Sequence, residues 1–253
     1  MVRTLLVRGM LTGVLAGLLA FAFAWLVGEP QVDHAIAFES HMRQLTGEAP
    51  EPELVSRAIQ SSIGLFTGVV IYGTALGGIF ALVFAYAHGR LGRLSPRTTA
   101  AILALAGFVV LILAPQLKYP ANPPAVGNPD TIGVRTGLYF LMIATSVVAA
   151  VAALNLGKRL VARLGPWNAV LVGAGAYVVA MVIAMLALRP INEVPANFSA
   201  DVLWRFRVAS LGIQLVLWTA MGLGFGALAK RLLGERPAQR RAPPRAWRGT
   251  ARR

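Results

Sequence analysis

Between Glu29 and His41 the chain reads Glu-Pro-Gln-Val-Asp-His-Ala-Ile-Ala-Phe-Glu-Ser-His, which gathers three carboxylates and two of the protein's three histidines. Imidazole combined with carboxylate suits divalent first-row metals, whereas all-oxygen donor sets suit harder ions. His34 and His41 are seven residues apart and share a face if the segment is helical. Two helical turns then separate them by about 10 Å along the axis, so one ion cannot bridge both on a straight helix. A tighter donor set joins one histidine to Glu29, Asp33 or Glu39. A further carboxylate, Glu193, sits in Arg189-Pro-Ile-Asn-Glu-Val-Pro195, at the other acidic membrane mouth. The expected metal contacts are therefore Glu29, Asp33, His34, Glu39, His41 and Glu193. The competing reading is an acidic, solvated loop with incidental histidines. His88 stands among Arg90, Arg93 and Arg97, where cation binding is disfavoured, and is read as an interfacial side chain.

These residues lie between segments built for lipid. The chain has 253 residues, 57% hydrophobic and 13% charged, about half the charged fraction of soluble domains. A helix needs about 20 apolar residues to cross the hydrocarbon, and six runs qualify: roughly 5–27, 63–86, 98–114, 136–156, 168–188 and 208–229. The third is the shortest and ends at Pro115, so it reads as a short span or a re-entrant segment. The first exceeds the h-region of a signal peptide and lacks a small-x-small cleavage pattern before Glu29. With the N-terminus placed in the cytoplasm, 17 of the 24 basic residues fall inside and 7 outside. The positive-inside rule then gives an all-α polytopic membrane protein with six transmembrane helices and both termini cytoplasmic. Residues 1–233 form the membrane domain, and 234–253 form a basic, Pro-rich tail expected to be disordered and to lie on anionic lipid. The tail contributes seven arginines against one glutamate to the net charge of +14, and this charge does not argue for nucleic acid.

Gly9, Gly13 and Gly17 recur every four residues in the first span, and Gly64, Gly68, Gly73 and Gly77 repeat the device in the second. Such strips let helix backbones approach closely. Ser95 is an expected N-cap and Pro96 an expected first helical residue, and Gly165-Pro166 opens the fifth span in the same manner. Asp33 to Leu45 is expected to form a short interfacial helix. The outer loop from Pro115 to Arg135 holds five prolines and cannot be helical throughout. Pro120-Ala-Asn122 and Pro195-Ala-Asn197, with Asp130 before Arg135 and Asp201 before Arg205, outline a weak internal repeat. It is consistent with three membrane hairpins of similar build.

The chain has no cysteine, so thiolate sites and disulfides are excluded. It contains no phosphate loop of the Gly-x-x-x-x-Gly-Lys-Ser/Thr type and no His-Glu-x-x-His motif. Gly222-Leu-Gly-Phe-Gly226 lies inside an apolar span without a preceding strand and is not a dinucleotide fingerprint. No Asp, Glu, Lys or His falls in mid-membrane, where a proton-coupled carrier usually holds one. No enzymatic activity and no resident cofactor are expected.

Two stretches carry a resemblance. Gly28-Glu-Pro-Gln-Val-Asp33 followed by Ala35-Ile-Ala-Phe-Glu39, and Val194-Pro-Ala196 leading to Arg205-Phe-Arg-Val-Ala-Ser-Leu211 and Trp218, resemble the CbtA family over nearly the whole chain. The resemblance implies the membrane subunit of a cobalt uptake system in the cytoplasmic membrane, with cobalt or another divalent cation as cargo. It also implies a small, single-span, histidine-bearing CbtB-like partner; membrane lipids and self-association complete the expected contacts. Many members carry a His-rich run in the first outer loop, whereas this chain has only His34 and His41 there. The rival reading is a non-transporting membrane scaffold or assembly subunit.

Overall fold

The computed structural model describes residues 2–47 and 55–234. Backbone amides inside a bilayer have no water to bond, so long apolar runs must satisfy themselves as helices. Five helices are long and apolar enough to cross a membrane: α1 (Val2–Thr46), α2 (Arg57–Ala87), α3 (Pro96–Lys118), α4 (Pro129–Ala187) and α5 (Ala200–Leu233). Helix α4 is 59 residues long and is broken at Gly165, where φ 75° and ψ 165° leave the helical region and Pro166 follows. Its arms, 132–164 and 166–187, fold back on each other. Gly157 meets the Ala169 carbonyl and Gly173 the Ala153 carbonyl. The Ser146 and Tyr177 hydroxyls lie 2.8 Å apart. These pairings run antiparallel.

The tightest contact is between α1 and α2. Gly9 faces Gly77 and Gly13 faces Gly73 so closely that an added Cβ would fall 2.2–2.7 Å from the opposing carbonyl oxygen. Helix α5 lies against both α1 and α3. On the α1 side Gly224 faces Thr12 and Gly212 faces the Phe23 ring, and Arg8 donates to the Leu228 carbonyl. On the α3 side Gly107 receives the Trp218 ring, Gly222 faces Ala104 and Gly226 faces Ala100. The core joins these four helices through Leu5, Phe80, Phe84, Ala104, Trp218, Met221 and Phe225. A smaller core packs the α4 hairpin against the end of α3 through Ala114, Met142 and Met181. Sequence order thus only partly gives the pairs: α1 lies against α2 and the arms of α4 against each other, but α3 pairs with α5 rather than with α4. That differs from the three like hairpins expected, because the glycine and alanine strips select the partners. Large apolar side chains such as Leu15, Ile79, Val148 and Leu186 remain exposed on the outer faces, as lipid contact requires.

Two expected boundaries shift for one reason. The first helix does not stop at Gly28 but passes into the segment Glu29–Thr46 through a π-helical turn at Ala24–Gly28. The third does not end at Pro115 but runs to Lys118 after a π-helical turn at Phe108–Leu113. Pro30 and Pro115 each lie just beyond such a turn. A proline offers no N–H to the carbonyl one turn back. The widened turn lets the preceding amide reach five residues back instead, Glu29 to Ala24 and Ala114 to Val109. At 23 residues, α3 is about 35 Å long, enough for a full crossing. The outer segment of α1 ends at Gly47, which is left-handed at φ 72°. Ser95 caps α3 by accepting from the Thr98 amide at 3.1 Å. The basic tail lies outside the described residues.

Candidate functional site

The helical head of α1 carries Glu29, Asp33, His34, Glu39 and His41. One face turns inward: Ala35 is fully buried, Phe38 meets Phe198 edge-on at 4.9 Å, and the Met42 sulfur accepts from the Asn197 amide at 3.1 Å. The head therefore lies over the start of α5 and the outer loops as a cap. Glu29 and Asp33, one turn apart, both face Arg57 at the start of α2. Arg57 donates to Asp33 at 2.9 and 3.1 Å and through Nη2 to Glu29. The Glu29 side chain is 14% exposed and that of Asp33 64%. Two carboxylates on one guanidinium leave the cluster net negative. Glu39 pairs with Arg43 one turn later at 2.6 Å. His34 and His41 are exposed, away from the buried Ala35 face. Among the described residues, no group of three or more His, Asp or Glu side chains stands together as a metal cage.

Glu193 lies elsewhere, in a polar vestibule at the end of the bundle that carries the loops before and after α4. Its Oε1 accepts from the Thr131 hydroxyl at 2.6 Å and its Oε2 from the Asn128 amide at 2.8 Å. Arg135 Nε stands 3.4 Å away. The hydroxyl, the amide and then the guanidinium stabilise the carboxylate, so its pKa is lowered. Glu193 thus latches the loop after α4 to the loop before it. The vestibule encloses about 380 Å³ between Tyr119, Asn122, Arg135, Tyr139, Asn192 and Arg207, with Glu193 in its wall. Arg207 reaches across from α5, donating to the Ala121 carbonyl at 3.3 Å and to Asn122 Oδ1 at 2.9 Å. The two Pro-Ala-Asn stretches thereby acquire different jobs, since Asn122 holds Arg207 while Asn197 holds Met42.

Below the vestibule a second cavity of about 330 Å³ opens beside the π-helical turn at Gln60–Gly64 of α2. Gln60, Tyr72 and Gln214 line it, and Tyr72 faces both Gln214 and Tyr139. Gln214 Oε1 is buried with no hydrogen-bond partner among the described residues. These neutral polar groups, with Arg135, Arg207 and Tyr139, were not singled out from the sequence. The available signal was the spacing of Arg207 and Gln214, two turns apart on α5. Between α2 and α3, His88 stacks on Phe84 with ring centres 5.1 Å apart, and its Nδ1 lies 3.4 Å from the Thr99 hydroxyl.

The arrangement offers an acidic cap, a cationic vestibule and neutral polar groups within an apolar bundle. No curated protein and no solved structure matches the chain. A family profile described as "Probable cobalt transporter subunit (CbtA)" matches residues 2–230. This multi-pass, all-helical membrane protein accordingly belongs to the CbtA family.

Proposed function

We propose that the chain is the membrane-embedded subunit of a divalent-cation uptake system whose cargo is cobalt. The family match over residues 2–230 carries this reading. It is supported by the net-negative cluster at the head of α1. The fold-back at Gly165 and the basic-residue split favour six membrane passes with both termini in the cytoplasm, in the cytoplasmic membrane. Glu29, Asp33, His34, Glu39 and His41 act as the outer contacts; Glu193, whose oxygens are already taken by Thr131, Asn128 and Arg135, is not retained among them. The carboxylates concentrate the ion near the mouth, and the exposed histidines favour softer divalent ions over magnesium. A small, single-span, histidine-bearing partner of the CbtB kind supplies the donors that complete a coordination shell. The rival reading, a scaffold or assembly subunit that moves nothing itself, is favoured by one observation: no metal cage forms among the described residues.

Cobalt accumulation in cells with and without the chain separates the two, with its partner present in both. Initial uptake of cobalt and magnesium into reconstituted vesicles then tests the residues. Glu29→Gln with Asp33→Asn is expected to slow cobalt entry most at low salt, where charge attraction reaches furthest. His34→Ala with His41→Ala is expected to narrow the preference for cobalt over magnesium. If deletion of the chain leaves accumulation unchanged, the uptake reading fails. Unchanged rates and selectivity in both double variants would show the head of α1 to be a solvated connector.

A further inference from the structure

The vestibule between the outer loops carries a charge opposite to that of the cap above it. Its ionised walls are Arg135, Arg207 and Glu193, which sum to one net positive charge. The only carboxylate is already satisfied: both oxygens of Glu193 accept hydrogen bonds, and Arg135 neutralises it. Arg207 is different. It has no carboxylate within ion-pair distance among the described residues, and its two hydrogen bonds there go to neutral oxygens, through Nε and Nη2. Those bonds fix the plane of the guanidinium and leave Nη1 without an acceptor. Asn192, Thr136 and Tyr139 also line the space, and their side chains make no hydrogen bond among the described residues. The cavity, about 380 Å³, falls within the ~300–1,000 Å³ typical of small-molecule sites.

A bare divalent cation gains nothing in such a place, since it meets net positive charge and a spent carboxylate. A planar guanidinium held by neutral acceptors, ringed by unspent donors, matches a carboxylate group in geometry and charge. We infer that the vestibule is a binding site for a small organic polycarboxylate, with Arg207 as its anchor and Tyr139, Thr136 and Asn192 completing the donor set. This site is distinct from the head of α1 and does not depend on the uptake reading.

The test uses the purified full chain in lipid nanodiscs without metal, with citrate as probe and sulfate at equal ionic strength as comparison. Isothermal titration is expected to show saturable citrate binding, with sulfate much weaker. Arg207→Gln is expected to weaken citrate at least tenfold, and Arg207→Lys to restore part of the loss. Because Arg207→Gln also frees the loop at Ala121 and Asn122, Tyr139→Phe serves as the milder variant and is expected to weaken citrate a few-fold at unchanged thermal stability. Absence of saturable citrate binding would overturn the assignment. So would sulfate binding as tightly as citrate, or citrate affinity unaltered in both Arg207→Gln and Tyr139→Phe. Because no metal is present, failure here leaves the uptake reading standing, and failure of cobalt accumulation leaves this site standing.

Discussion

Replacing Gly13 by alanine tests whether α1 and α2 are held by backbone contact. The new Cβ would fall 2.2 Å from the Gly73 carbonyl oxygen and 2.9 Å from its carbonyl carbon. A carbon normally approaches a carbonyl oxygen to roughly 3.3 Å, so the helices must part by about 1 Å along the whole strip. Neither obstacle can yield, because both are backbone atoms. Overpacking of this kind costs about 1–3 kcal/mol, and the mirror change Gly73→Ala, whose Cβ would meet the Gly13 oxygen at 2.7 Å, should cost a similar amount. Once one methyl has separated the helices the other fits more easily. The double variant should therefore be destabilised by less than the sum of the singles, as expected for residues in contact. Gly68 provides the internal control. It is on the same helix with nothing within 4 Å of its added Cβ, and alanine there removes glycine's helix penalty of about 0.8–1 kcal/mol. Stability is measured by denaturant titration in micelles that preserve the folded state. If Gly13→Ala is no more harmful than Gly68→Ala, or if the two strip variants add in full, direct backbone packing is not what joins these helices.

Three other outcomes are expected. Single cysteines introduced at Asn128 and Asn192 should react with an impermeant thiol reagent from outside intact cells, and one at Leu164 should not. Reaction at Leu164 alone would reverse the orientation, and the native chain offers no competing cysteine. Arg57→Gln leaves Glu29, at 14% exposure, without its cation and should destabilise the protein by about 1–2 kcal/mol, between the values for exposed and buried pairs. Accelerated proteolysis within the head of α1 would accompany it, and an unchanged cleavage pattern would contradict the contact. The pKa of Glu193 is lowered in the folded protein by Thr131, Asn128 and Arg135. Its contribution is therefore complete above the ordinary carboxylate pKa and is lost as pH falls through the folded value. The thermal midpoints of wild type and Glu193→Gln should converge as the pH is lowered through that range; a gap that widens on acidification would refute the latch.

The helices were legible because a run of apolar residues has few alternatives in lipid. The ends were less so. The first apolar run stops at Val27, and Pro115 read as the end of the third, since proline ends most helices, and nothing in the letters announces a π-helical turn that absorbs the missing amide. Partner choice was legible only where it is encoded by spacing. The strip Gly9, Gly13, Gly17 predicts a close neighbour, and α2 supplies one. The pairing of α3 with α5 depends on single positions such as Gly107 accepting the Trp218 ring. For the candidate site, Glu29 and Asp33 share a helical face by their four-residue spacing, yet their cation, Arg57, lies 24 residues beyond Asp33. Arg135 invited pairing with its near neighbour Asp130. It faces Glu193 instead, because two loops far apart in sequence close over one another.

The position of α5 has a consequence for how the protein is made. Arg8 waits for the carbonyl of Leu228, 220 residues later. At the usual ~5–20 residues per second of synthesis, the interval is about 10–45 s. Throughout it, the inner faces of α1 and α3 sit in the membrane without the helix that covers them, while α4 inserts and closes on itself through nearer contacts. Premature chains ending before Ala200 would therefore carry a finished hairpin beside an open cleft lined by Phe80, Ala100 and Ala104. Such a cleft is a target for membrane quality control, and α5, made well after the helices it covers, is the one that hides it.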